Sequence, residues 1–379
     1  MKVPFAPVLL FSLCAGAAFG QENLMPQFHG FVTEGFTYSN DNNYLGMNTS
    51  LGSFDWTEAA LNVNDQLTPN LRVGAQIHLF HLGDFGGWVP GLDWALADYK
   101  FNQHLGVRAG KVKIRWGLYN DTQDADPGYM WSLLPEPIYA VDWRATDLAQ
   151  TGVELYGRIR LGKKRGELEY SAYYGYYTMA ANDGIMDGFK EDGLVFTKRP
   201  RGKTPGFDVR WTTPLKGLLI GGSLMMYDAH GNLIDGAFRQ PLTYWPAYYA
   251  QYTKKKLFLS AQYSPLLERT YVMSAGTPSS DVSNTRGWFV MGGYHVTSRL
   301  QLGVYRTGNT VLGVDNPSDP SNRFRDWVVS SRFDINSYLY AKLEGHFIDG
   351  TYLGFYGFDN PNDLKPQTNL LVAKIGFCF

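Results

Sequence analysis

No stretch of this 379-residue chain reaches the roughly 18 consecutive apolar residues that a membrane-spanning helix needs. The longest approach, 218–226, is broken by Gly221, Gly222 and Ser223, so a helical membrane protein is excluded. Cysteine is almost missing. Cys14 falls in the expected leader and leaves Cys378 alone, so no intramolecular disulfide forms. An excess of one charge is missing too: 34 basic residues face 35 acidic ones, for a net charge of -1, and losing Lys2 makes it -2. That balance gives no nucleic-acid or polyanion signal. The seven histidines (His29, His78, His81, His104, His230, His295 and His346) show neither metal spacing nor a neighbouring nucleophile elbow. The sequence therefore implies no catalytic residue, metal or cofactor.

What is present is dispersed hydrophobicity: 44% apolar and 15% aromatic residues with 42 glycines, spread at the short spacing that sheets demand. In 368–379 (TNLLVAKIGFCF), Leu371, Ala373, Ile375, Phe377 and Phe379 fall at one parity, and Lys374, Gly376 and Cys378 at the other. Such alternation over about ten residues is the mark of a strand crossing a bilayer in a closed barrel. Val153, Leu155, Gly157, Ile159 and Leu161 alternate in the same way with Glu154, Tyr156, Arg158 and Arg160. Leu71, Val73, Ala75, Ile77 and Leu79 alternate with Arg72, Gln76 and His78, while Leu339, Ala341, Leu343 and Phe347 alternate with Lys342, Glu344 and His346. A charge on the lipid face at mid-bilayer costs about 2–4 kcal/mol, so the charged parity must look into a wet interior.

Sixteen such segments are counted. Seven connections are short and turn-rich (64–70, 102–104, 162–166, 213–217, 253–255, 295–299 and 334–337), and eight longer ones alternate strictly with them. The expectation is an all-β fold, a 16-stranded antiparallel transmembrane β-barrel with short periplasmic turns and long extracellular loops. Aromatics agree with two interface girdles: Tyr176, Tyr177, Tyr244, Trp245 and Trp288 near long loops; Trp211, Tyr252, Phe333, Tyr338 and Phe379 near turns. At the other end, Lys2, the apolar run 8–18 and the small residues Ala18 and Gly20 predict a signal peptide over 1–20. A barrel domain over 21–379 follows, with no plug or passenger segment expected, and the bacterial outer membrane is its expected location.

A barrel of this size leaves an aqueous channel that wall side chains alone cannot fill. The longest connection, 116–150, carries Pro127, Pro135 and Pro137 among aromatics, with Asp121, Asp124, Asp126, Glu136, Asp142 and Asp147 against Arg144. A long, stiff, aromatic loop is ordered or functional, and it is expected to fold into the lumen and constrict it. Inward parity supplies Arg72, His78, Arg158, Arg160, Arg210, Lys342, Glu344 and Lys374 as pore-lining candidates, with Arg108 and Glu154. Lys111 and Lys113 join them if a bulge near Gly110 shifts the phase by one residue. Two readings of this charge pattern stand side by side. An acidic loop faces a basic wall across the constriction, or the bases pair locally with Glu34, Glu58, Asp98, Glu154, Glu169, Asp208 and Glu344.

The segments GFVTEGFTYSNDNN (30–43), SFDWTEAALNV (53–63), LDWALADYKFNQHLGVRAGKVKIRWGLYNDTQD (92–124), LLPEPIY (133–139) and TGVELYG (151–157) resemble Gram-negative porins related to the phosphate-selective porins O and P. The resemblance covers the first two fifths of the chain. It implies an outer-membrane diffusion channel, trimeric, with the third loop in the lumen and Lys111, Lys113 and Arg115 near its constriction. Phosphate selectivity is not carried over, because those relatives use a basic excess and this chain balances its bases with acids. The expected partners are outer-membrane lipids and lipopolysaccharide, the barrel assembly machinery, small hydrophilic solutes and two further copies of the chain. The alternatives are a barrel enzyme of protease or lipase type and a substrate-specific anion or phosphate channel; a receptor or adhesin role for the loops is compatible with any of these.

Overall fold

The structure, a computed structural model, describes residues 26–379; the expected signal peptide lies outside them. Seventeen hydrogen-bonded segments form one antiparallel sheet that closes on itself. Two of them, Arg201–Lys203 and Gly206–Thr212, lie in line between the same two neighbours. They are parted at Pro205, which has no N–H to give the ladder. Counted as one stave they leave a barrel of sixteen. In chain order these are β1 (Gln27–Ser39), β2 (Ser53–Thr68), β3 (Leu71–Leu82), β4 (Gly91–Lys100), β5 (Gly106–Lys113), β6 (Ala149–Gly162), β7 (Gly166–Thr178), the split β8, β9 (Leu218–Asn232), β10 (Gly236–Lys254), β11 (Leu257–Ser274), β12 (Thr277–His295), β13 (Leu300–Thr310), β14 (Arg323–Asp334), β15 (Leu339–Asp349) and β16 (Gln367–Cys378).

The seam lies between β16 and β1, paired from Phe31 opposite Cys378 to Ser39 opposite Leu370. Phe379 exchanges two backbone hydrogen bonds with Gly30, at 3.1 and 3.0 Å, so neither edge stays open. Side chains obey the alternation. On β16, Leu371, Ile375 and Phe377 are exposed on the outer wall, while Leu370, Val372 and Lys374 are buried inside. Among the described residues no helix is long and apolar enough to cross a membrane.

Three local expectations change. Tyr177 and Trp245 point inward rather than into a girdle: Tyr177 donates to the Asp228 carbonyl, and Trp245 packs on Trp116 at 4.2 Å between ring centroids. Two of the eight connections read as long are tight turns, 233–235 and 275–276, because β9 to β12 run 15 to 19 residues and climb past the apolar belt. Above the belt both faces meet water, so Thr277–Thr285 loses the apolar alternation that marks a strand and reads as loop. Ala275 and Gly276 both take positive φ (+48° and +78°), the two-residue hairpin geometry that matches strand twist. Finally, β5 pairs with β4 and β6 without a register shift, so the bulge proposed at Gly110 does not occur. The shift lies instead at Asp93 of β4, the extra residue between Leu92 and Trp94.

Candidate functional site

Residues 114–148 leave β5 and run inside the barrel. Their first turn is tied to the far wall: Gly117 N–H donates to Ser223 Oγ (2.9 Å), Leu118 N–H to Gln262 Oε1 (3.0 Å), and Tyr119 hydroxyl meets Ser260 Oγ (2.7 Å). Trp116, Tyr119, Trp131 and Tyr139 pack there with Phe289, Met291 and Tyr305 of β12 and β13.

The middle of the loop meets the opposite wall through charge. Asp126 accepts from Lys374 at 2.8 Å, Lys342 at 3.0 Å and Tyr340 hydroxyl at 2.6 Å. Lys374 also lies 3.2 Å from Glu58, and Glu58 pairs with Arg144 at 3.2 Å. Arg144 donates to the ring of His78, and Asp124 pairs with Lys113 at 2.7 Å. Glu344 accepts from the backbone N–H groups of Ser132 and Leu133. Arg332 donates to the Pro127 and Tyr129 carbonyls at 2.6 and 2.7 Å. Burial opposes ionisation of Asp126, but the charges of Lys342 and Lys374 override it and hold its carboxyl below the usual range. Asp124 is lowered too, with burial opposed by Lys113. The lock depends on one glycine: a Cβ on Gly376 would come within 2.2 Å of the Tyr340 ring that reaches Asp126. Gly376→Val is expected to push Tyr340 aside and make 114–148 more susceptible to protease than in the wild type.

A different set of inward groups is less deeply buried, the side chains of Arg72, Arg108, Arg115, Arg158 and Arg210 keeping 14–34% of their surface exposed. On β3 to β8, bases and acids alternate around the wall. Arg72 pairs with Asp98 (3.1 Å), and Arg108 joins Asp98 (3.1 Å) to Glu154 (2.9 Å). Arg158 meets Glu167 (3.0 Å) and Glu169 (2.9 Å); Arg115 joins Glu169 (2.9 Å) to Asp208 (3.1 Å). Arg210 closes the row, 2.9 Å from Asp208 and 3.7 Å from Asp121 of the loop. Arg160, 3.5 Å from Glu167, extends it to the turn-side rim, where its side chain is 73% exposed.

Both readings of the charge pattern are thus partly realised. Asp121, Asp124 and Asp126 face wall bases, while Arg144 reverses the polarity by facing Glu58. Among the described residues no base pairs with Glu136 or Asp142. They lie together near Tyr356, whose hydroxyl donates to Asp142, and both carboxyls are pushed up, chiefly by burial. Lys111 is displaced from the pore-lining set: it lies opposite Ala95 and Thr151, in the outward row of Val153, and its ammonium meets the Leu92 carbonyl. Glu34 also faces outward and accepts from Thr57 hydroxyl at 2.6 Å, so it pairs with no inward base. Tyr340 and Arg332 were missed, although Arg332 follows the inward parity of β14 and Tyr340 shares that of Lys342.

Burial, Glu268 and Asp142 push Asp147 up to about 7. A folded-state value above the unfolded one gives stability that is complete below about pH 4 and lost as pH rises through about 7. Protection of 114–148 from hydrogen exchange, taken relative to the intrinsic rate at each pH, is therefore expected to fall between about pH 4 and 7, and Asp147→Asn to remove that step.

Among the described residues no group of three or more His, Cys, Asp and Glu is placed to hold a metal. His346 Nδ1 lies 2.7 Å from Asp326, but its buried Nε2 has no hydrogen-bond partner and so no nucleophile to activate. An inward-folded loop and a ladder of paired charges thus bring many polar and charged groups together inside the barrel.

No family model and no curated protein matches the sequence. Solved structures do match in fold. OmpF of Salmonella typhi superimposes with a TM-score of 0.59 at 10% identity, covering 93% of this chain and 97% of that one. OmpT of Vibrio cholerae, an outer-membrane protein solved in a trimer form, gives 0.56 at 13% identity over 94% and 99%. The anion-selective porin of Comamonas acidovorans gives 0.53 at 10% over 94% and 99%. The fold is that of outer-membrane porin barrels. At these identities the likeness is one of architecture alone.

Proposed function

We propose that this chain is an outer-membrane porin: it lets small hydrophilic solutes and ions diffuse through a water-filled channel that the third loop narrows. The observation that carries this reading is the division of the inner wall. The loop is fixed mainly against β2, β3 and β9 to β16 and touches β5 and β8 through Lys113 and Arg210, while the arginines of the ladder on β3 to β8 keep part of their surface exposed. Arg72, Arg108, Arg115, Arg158 and Arg210 line the aperture, with Asp121 as the loop's contribution. Lys342, Lys374, Glu344 and His78 anchor the loop. Phosphate selectivity, as in porins O and P, is disfavoured because each of those arginines has a carboxylate beside it.

The outer face of β1 to β5 supports a trimer. It carries Glu34 and Lys111, and between them a shallow hollow of about 440 Å³ floored by Ala75, Ala95, Ala97 and Ala109. A lysine on a lipid-facing wall costs about 2–4 kcal/mol near mid-bilayer, and a glutamate less; a rotationally related copy would pair the two and fill the hollow. The barrel would follow cleavage of residues 1–20, with assembly machinery inserting it into the outer membrane.

Conductance in a planar bilayer tests the reading. Open channels closing in three equal steps are expected, and a bilayer that stays silent overturns it. Glu34→Lys is expected to shift the protein from trimer toward monomer on a sizing column, and Glu34→Lys with Lys111→Glu to restore the trimer.

A further inference from the structure

The net charge of -1 conceals an uneven distribution around the turn-side rim. Four consecutive turns join β6 to β7, β8 to β9, β10 to β11 and β12 to β13. With the strand ends beside them they hold the basic runs 163–165 and 254–256, Lys216 and Arg299. All eight of these bases are exposed, and residues 162–166, 213–217, 253–256 and 295–299 contain no acid. Glu167, next along β7, is engaged by Arg158 and Arg160. Among the described residues no carboxylate pairs with any of the eight. The other three turns, 69–70, 101–105 and 335–338, contain no lysine, arginine, aspartate or glutamate. Lys100 and Asp65, which flank two of them, offset each other, and Asp334 beside the third is paired with Arg332. Half of the rim is strongly basic and the other half is close to neutral.

The basic half is built as one piece. Trp211 Nε1 donates to the Arg165 carbonyl at 2.8 Å, Thr253 N–H to the Gly217 carbonyl at 2.9 Å, and His295 N–H to the Lys256 carbonyl at 3.0 Å. Each bond ties one turn to the next hairpin. The Lys256 ammonium itself reaches the Val296 carbonyl at 3.2 Å. Lys255 takes φ +54°, a conformation that hairpin turns usually give to Gly or Asn. A lysine there keeps a charge at the tip at the expense of local strain. Arg160, at the foot of the lumenal ladder, brings the same sign of charge to this side of the mouth.

Sixteen strands about 4.8 Å apart and tilted about 40° place the rim about 16 Å from the barrel axis. The Debye length is about 30 Å at 0.01 M salt, about 10 Å at 0.1 M and about 3 Å at 1 M. Eight unit charges at that radius therefore enrich a monovalent anion at the mouth roughly five- to tenfold at 0.01 M, about twofold at 0.1 M and hardly at all at 1 M. Cations are excluded by the same factors. The ladder inside has no such reach, because each of its arginines has a carboxylate beside it.

We propose that the basic half-rim is a selectivity element: it gathers small anions at the turn-side mouth and makes the ion preference of the channel depend on which side is dilute. This rests on the channel reading above and deepens it by assigning an ion class to one mouth.

The test is the reversal potential of single channels in a bilayer of zwitterionic lipid, with potassium chloride at 0.01 M on one side and 0.1 M on the other, then exchanged. In wild type the anion-to-cation permeability ratio is expected to differ about fivefold or more between the two directions. The variant Lys163→Gln/Lys164→Gln/Lys216→Gln/Lys254→Gln/Lys255→Gln/Lys256→Gln should bring that difference below about twofold, since two of the eight charges remain. Arginine at the same six positions should retain it. A wild type indifferent to direction overturns the proposal, as does a difference that persists in the glutamine variant or is lost in the arginine one. Raising the dilute side to 1 M should abolish the difference; persistence there also overturns it. Heat-modifiable migration on a gel reports folding. Should the sixfold variant fail it, Lys254→Gln/Lys255→Gln is read instead, with a smaller difference than wild type expected and an unchanged one overturning the rim. A silent bilayer overturns the channel reading and this proposal with it, whereas open channels indifferent to direction overturn the rim alone.

Discussion

Asp126→Ala is expected to release the third loop from the barrel wall, raising single-channel conductance and exposing 114–148 to protease. Asp126 is the point where Lys342 and Lys374 meet, and both lysine side chains are fully buried. Removing the carboxylate leaves two ammonium groups in a dry site with Glu58 and two backbone carbonyls as remaining partners. Stranding a buried charge in this way costs about 3–5 kcal/mol. Each neutral hydrogen bond holding the loop returns only about 0.5–1.5 kcal/mol net. The cheaper state therefore lets water reach the lysines, which requires the loop to lift. Adding Lys342→Met to the alanine variant removes one stranded charge and is expected to recover part of the wild-type conductance. Unaltered conductance together with unaltered protease resistance in Asp126→Ala would remove the charge lock from this account.

The parts of the molecule written in period-two alternation were legible in the sequence, and the parts set by tertiary neighbours were not. Leu371, Ile375 and Phe377 against Lys374 specify the facing of β16 without any reference to the rest of the chain, and the pairing of Arg108 with Glu154 follows from the same rule. Lys111 defeats that rule. Its charge argued for the lumen and for a bulge at Gly110, yet an outward lysine is tolerable where small alanines make a hollow that another surface can cover. Lys342 and Lys374 were correctly turned inward by parity, but parity carries no information on depth. That both are fully buried follows from where Asp126 comes to rest, about 220 to 250 residues away in sequence. The turn at Ala275–Gly276 was hidden for a related reason: above the apolar belt a strand needs no apolar face, and the polar residues there carry no signal of their facing.

The ladder on β3 to β8 sets the second large effect. In wild type its bases and acids are nearly balanced, so a weak preference between anions and cations is expected from the reversal potential in a salt gradient. Arg115→Ala with Arg210→Ala takes away both arginines that neutralise Asp208, a carboxylate with no exposed surface that also accepts from Ser223 and Tyr249. Two positive charges then vanish from the aperture while Asp121, Glu169 and Asp208 stay. Each unit charge about 4 Å from a passing ion is worth about 1 kcal/mol even in a fully aqueous dielectric, so two amount to a tenfold or greater shift toward cations before screening. The shift should shrink from 0.1 to 1 M salt as the Debye length falls from about 10 to 3 Å. Asp121→Asn with Glu169→Gln should move the reversal potential the other way. If both pairs of substitutions leave it where it was, the conducting path does not run along this wall, and the arginines serve only to keep a wet surface satisfied.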